Sequence, residues 1–78
     1  IQFVVYSNDH LPRHIHGFPS ETEVIVHLLL NGNVALASRK DAVRPANAKQ
    51  SDVARILNIA ALHFKELATL WEEIHGKA

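Results

Sequence analysis

The chain has no cysteine and no methionine, and only three glycines and three prolines among 78 residues. Without cysteine there is no disulfide and no thiolate metal site, so any bound metal must be held by nitrogen and oxygen, and the composition fits a reducing cytoplasm. Neither sign of charge dominates: eight Lys and Arg balance eight Asp and Glu, for a formal net charge of zero. No global field therefore draws in nucleic acid or anionic lipid, and such binding must come from a local patch. Long apolar runs are missing as well. The longest, Val24 to Leu30, is broken by His27 and is far too short to span a bilayer, and no secretory signal is visible. Ile1 opens the chain inside what already reads as a strand, so a short N-terminal segment is expected upstream of a single small domain, 1–78.

What the sequence does have is histidine. Six are present, and His10, His14 and His16 fall within seven positions, in His10-Leu11-Pro12-Arg13-His14-Ile15-His16. His14 and His16, two apart, project to one side of an extended segment. Pro12 keeps Leu11 from helical angles, and Asn8 and Asp9 are turn formers, so Ser7 to Arg13 reads as a bend that swings His10 toward the other two, on a strand edge. Four readings stay open for this loop: a metal site, acid/base chemistry, a binding surface, and plain structure. Three imidazoles with an open fourth position suit a divalent metal such as zinc, with Asp9, Glu21 or Glu23 as an outer carboxylate.

Around the loop, Ile1 to Tyr6 reads as a strand, and His16 to Ser20 as irregular because Gly17 and Pro19 punctuate it. Thr22 to Leu30 and Asn33 to Ser38 read as strands joined by a two-residue Asn31-Gly32 turn, which sets Leu28 opposite Ala35 and Val26 opposite Ala37. The opposite face, with Ile25, His27 and Leu29, is too apolar to lie bare; if the loop covers it, His27 joins the cluster. A helix is expected from Ser51, as N-cap, to His75, with Gly76 as its left-handed stop and Val53, Leu57, Ala60, Phe64, Leu67 and Trp71 on its core stripe. The fold class is α+β: a small antiparallel sheet of at least three strands with one long C-terminal helix on one face.

Two further surfaces carry expectations. Ile56, Ile59, His63, Leu70 and Ile74 form an apolar shoulder beside the helix stripe, which points to an interface and a homo-oligomer, at least a homodimer, because a domain this small buries only about 60% of its unfolded surface. Arg39, Lys40 and Arg44, joined by Arg13, offer a basic patch for weak, salt-sensitive nucleic-acid binding. No stacking aromatics interleave with those charges, which favours an ordinary charged loop over that reading.

The order of strand, H-x-P-x-H-x-H loop, strand, hairpin and helix ending in E-L-x-x-x-W resembles a small bacterial domain-of-unknown-function family, number forty-one sixty. His10, Pro12, His14, Ile15 and His16 carry the loop match, followed by Glu23 and by Glu66, Leu67 and Trp71. The family commonly has a second proline where this chain has Arg13, and the connector before the helix is longer here. The resemblance implies this fold and membership of toxin-antitoxin-like gene pairs, with a protein partner from an adjacent gene. The resulting expectation is a bacterial interaction or regulatory module binding through its histidine-rich loop; the alternative is a histidine-dependent nuclease or hydrolase of toxin type, with or without a metal.

Overall fold

Five short strands rich in β-branched residues precede two helices in the computed structural model, which describes residues 1–76. They are β1 (Gln2–Val4), β2 (His14–Phe18), β3 (Glu23–Leu28), β4 (Val34–Leu36), β5 (Val43–Arg44), α1 (Gln50–Leu62) and α2 (Phe64–His75). All strand pairs are antiparallel in the order β1-β2-β3-β4, and β5 also pairs with β3, beyond the end of β4. The α+β class and antiparallel sheet are as expected; the strand limits and the helix are not.

His16 to Phe18, expected to be irregular, continues the extended segment from His14 as an inner strand of the sheet, so the histidines do not lie on a sheet edge. Gly17 misled the reading. A Cβ there would meet Ile56 Cγ2 at 3.0 Å and Phe3 Cε1 at 3.1 Å, so this glycine marks where α1 comes down onto the strand and not where the strand stops.

The β3–β4 hairpin is one residue out of the expected register: Leu28 pairs with Val34 and Val26 with Leu36. Leu29 N–H donates to Asn33 O at 2.8 Å, and Asn33 N–H to the Asn31 side chain at 3.0 Å. The turn therefore takes three residues, Leu30, Asn31 and Gly32, with Gly32 at φ 89. A one-residue slip exchanges faces. Val34 accordingly packs on the helix-side core, while Leu30 leaves the sheet and is 96% exposed.

The long helix is two. Helix α1 starts at Gln50 with Lys49 as its cap, so Ser51 lies inside the first turn, and the chain breaks at His63, with φ −107 and ψ 26. A straight helix over residues 50–75 would run about 39 Å, longer than the molecule's greatest extent of 35 Å. The break lets α1 cover β3 and β4 while α2 turns to β2. Gly76, at φ 75, ends α2 as expected, its N–H donating to Glu72 O at 2.7 Å.

Ile15, Val24, Val26 and Leu28 from the sheet meet Ile56, Ala60, Leu67 and Trp71 from the helices to form the core. Ile56 is thus not part of an outward shoulder. It is fully buried, which for an isoleucine contributes about 1.5–3 kcal/mol.

Candidate metal centre

Alternation along β2 sends Ile15 and Gly17 to the helices and His14 and His16 to the other face. On that face His14 stands across from His27, and His16 across from Ile25. The loop after β1 closes over it. Asp9 N–H donates to Tyr6 O at 3.1 Å and the Asp9 carboxylate accepts the Tyr6 N–H at 2.9 Å, a reciprocal turn that fixes Asp9 above the two imidazoles. From the far side, His75 stacks on Trp71 with ring centroids 3.9 Å apart and donates from Nε2 to Tyr6 O at 3.1 Å. The sequence accounts for His75 through the helix dipole alone; in the fold it also ties α2 to this loop.

Asp9, His14 and His16 each present one ligand atom, and the three atoms lie within 4.8 Å of one another. Both histidines have their other nitrogen engaged. His14 Nδ1 is 2.9 Å from Pro12 O, and His16 Nδ1 is 2.8 Å from Glu23 Oε2. A carbonyl and a carboxylate only accept, so each Nδ1 carries a proton and, in the neutral ring, each Nε2 a lone pair. His16 Nε2 faces both Asp9 oxygens at 3.2 Å. His14 Nε2 lies 3.4 Å from Asp9 Oδ1, yet it is buried without an aligned hydrogen-bond partner. A lone pair and a carboxylate at that separation repel unless something positive lies between them. A proton on His16 would settle one contact; a single cation among the three groups settles both. Glu23 stands behind His16, where an outer carboxylate would orient a ligating imidazole.

The electrostatics agree. Burial pushes the Asp9 carboxyl up, but the Tyr6 N–H, the His16 hydrogen bond and the neighbouring imidazoles outweigh it and hold it below the ordinary 3.8. Burial likewise raises Glu23, and the hydrogen bonds from His16 and Arg44 bring it below the ordinary 4.5. Both carboxylates are anionic near neutrality.

Asp9 and His14 open onto a cleft of about 510 Å³ whose other walls include His10, His27, Ser38 and Arg39. A second groove of about 900 Å³ shares Leu11, Pro12 and His27 with it and continues along Leu28–Leu30 to Trp71. Leu11, 72% exposed, stands at the junction. His27 therefore lies under the loop and faces the cleft, outside the three-residue group.

Of the three loop histidines, the fold brings His14 and His16 together and leaves His10 exposed on the cleft wall; Asp9 takes the third position. Three of the four basic residues are engaged locally. Arg13 donates to the carbonyls of Leu28 and Leu29 at 3.1 and 3.2 Å and lies over the Phe64 ring. Arg44 pairs with Glu23 and Arg39 with Asp41, each with a closest approach of 2.6 Å, while Lys40 is exposed. Among the interface candidates, Leu70 packs on the core, Ile59 and His63 are half-buried, His63 facing Glu66 at 3.2 Å, and Ile74 is 40% exposed. No helix among the described residues is long and apolar enough to cross a membrane.

Comparison with family models, with curated proteins and with solved structures finds no match to this chain. Its chemistry has to be read from the site. Two neutral imidazoles and one carboxylate suit a borderline divalent ion, and three protein ligands leave a coordination position for water or substrate, as in hydrolytic zinc centres.

Proposed function

We propose that this domain is metal-dependent and of hydrolytic type, with Asp9, His14 and His16 holding a divalent cation such as zinc beside the cleft that Asp9 and His14 line. The observation that carries this is His14 Nε2: buried, its partner nitrogen spent on Pro12, and aimed at an anionic carboxylate with which it makes no hydrogen bond. Bound there, the ion would lower the pKa of its water and supply a nucleophile near neutral pH. Elemental analysis of protein purified without a histidine tag, followed by zinc titration calorimetry, tests the site; the expected stoichiometry is one per chain, abolished in the His14→Ala, His16→Ala double variant. Hydrolysis of ester and phosphodiester probes by metal-loaded, chelated and double-variant protein then tests the activity. Equal zinc uptake by parent and variant would remove the metal reading, and inert loaded protein would remove the hydrolytic one.

One observation favours a second reading, an interaction module. The groove from Leu11 to Leu30 is apolar and its rim exposed, as at protein-binding surfaces. The resemblance to family forty-one sixty supports a bacterial, cytoplasmic setting in a toxin-antitoxin-like pair, with an adjacent-gene partner or a second copy as occupant. Light scattering of the parent and of Leu30→Glu separates self-association from a monomer awaiting another protein.

A further inference from the structure

The wall of the cleft facing the histidines is built by an excursion of the chain. Ala37 N–H donates to Ile25 O at 3.0 Å and Ile25 N–H to Ala42 O at 2.7 Å, so residues 38–41 are thrown out from the sheet at the position where Ile25 lies across from His16. Ser38 and Arg39 thereby line the cleft with Asp9 and His14. Arg39 gives Nε and one terminal nitrogen to Asp41 at 2.6 and 2.9 Å. That fork fixes the guanidinium plane and leaves the other terminal nitrogen with two donors to spare. The Asp41 hydrogen bond holds Arg39 above the ordinary guanidinium range, and the Asp41, Asp9 and Glu23 carboxylates add to it.

Asp9 is the only carboxylate among the described residues that line this cleft. Besides Asp9 and His14, the polar residues of the lining are Arg39, Ser38, Asn8, His10 and His27. The lining thus offers hydrogen-bond donors beside the metal group, with Arg39 held in place by Asp41, which is not itself part of the lining.

We infer that this wall is an oxyanion subsite and that the ligand of the metal centre is a phosphate ester, one phosphoryl oxygen on the cation and another on Arg39. A tetrahedral group presents oxygens in both directions at once, whereas a carboxylate's two oxygens lie in one plane, and arginine's planar fork matches phosphate. The inference rests on the metal reading above and names the substrate class of the same site.

The test uses cobalt(II) in place of zinc, because its visible absorption changes with its ligands, and phenyl phosphate as the probe, with benzoate as the carboxylate of like size. Phenyl phosphate should perturb the cobalt spectrum saturably and bind roughly tenfold more tightly than benzoate. Arg39→Ala should weaken phenyl phosphate roughly tenfold, the loss of one charge-assisted contact, and leave cobalt affinity unchanged. The Arg39 side chain is 46% exposed, so its removal leaves the core intact. Lys40→Ala removes an equal charge from the neighbouring position and should change phosphate binding no more than about twofold. Phenyl phosphate binding indifferent to Arg39→Ala, or benzoate binding as tight, overturns the subsite while the metal centre stands. Cobalt uptake with no phosphate binding does the same; failure to take up cobalt overturns both.

Discussion

The two faces of this sheet are made from the same strands and have opposite characters. Along β2, Ile15 and Gly17 meet the helices, while the alternating His14 and His16 meet a loop. On the helix face the core is apolar and shape decides: Ile15, Val24, Val26 and Ile56 have no exposed surface. On the loop face the same degree of burial is imposed on two imidazoles, each 7% exposed, and their nitrogens must find partners. Three of the four have a hydrogen-bond partner within reach; His14 Nε2 does not. One face is satisfied by packing, and the other leaves a nitrogen unpaired, which is the place of the proposed cation.

The largest effect should fall on the helix face. Ile56→Ala removes a fully buried side chain beneath Gly17 and should cost about 2–5 kcal/mol in denaturant unfolding, with zinc binding retained wherever the chain remains folded. On the loop face the stabilisation is conditional. Zinc at a hundred times its dissociation constant should add about 2.7 kcal/mol to the parent and almost nothing to the His14→Ala, His16→Ala variant, read as melting curves with and without metal. A variant that responds like the parent would erase the distinction between the faces.

Gly17→Ala tests the closest approach on the helix face. The added methyl would sit 3.0 Å from Ile56 Cγ2 and 3.1 Å from Phe3. Both neighbours are side chains that can give, so overpacking should cost about 1–3 kcal/mol, measured by urea midpoint. Pairing it with Ile56→Val should recover part of the loss, because the two share one contact.

Acid should act on the loop face through Asp9 and Glu23, both held below their ordinary values of 3.8 and 4.5 in the folded chain. A depressed carboxyl contributes stability that is fully present above its unfolded value and lost as pH falls through the folded one. Metal-free stability, followed by urea midpoints, should therefore hold from neutrality to about pH 5 and decline below about pH 4. Glu23→Gln should flatten that decline, and Ile56→Val should leave its slope alone.

Alternation and turn chemistry made much of this legible in advance. The antiparallel sheet, a second face too apolar to lie bare, the helical core stripe and the glycine stop after His75 all follow from local rules. The rest depended on contacts between distant residues. Gly17 reads as punctuation until Ile56 is known to lie against it. The Asn31-Gly32 pair promises a two-residue turn, but the turn takes in Leu30 as well, and every residue of β4 changes face. Within the site, His14 and His16 could be paired by spacing alone. Asp9 was visible only as an outer carboxylate, because its place depends on the reciprocal turn with Tyr6 that draws it over the strand. Arg13 looked like a phosphate ligand and instead caps the carbonyls at the end of β3.

The smallest expected effect decides between the spacing and the fold. By spacing, His10 is the third ligand. In the fold it lies exposed on the cleft wall, outside the group whose ligand atoms converge, and Asp9 stands in its place. An imidazole without a place in the coordination shell contributes little to affinity, while a carboxylate bonded to the ion supplies charge as well as a donor pair. His10→Ala should therefore change the zinc dissociation constant no more than about twofold, within what loss of one rim contact accounts for. Asp9→Ala should weaken it by well over tenfold, the scale seen even for residues that only orient ligands. Because Asp9 also caps the Tyr6 turn, Asp9→Asn is the sharper variant: its amide oxygen still accepts the Tyr6 N–H. It should keep the melting temperature of the metal-free chain near the parent's and lose most of the zinc response. If His10→Ala abolishes zinc binding and Asp9→Asn does not, the loop closes on the ion through its histidines, and the turn at Asp9 serves the fold alone.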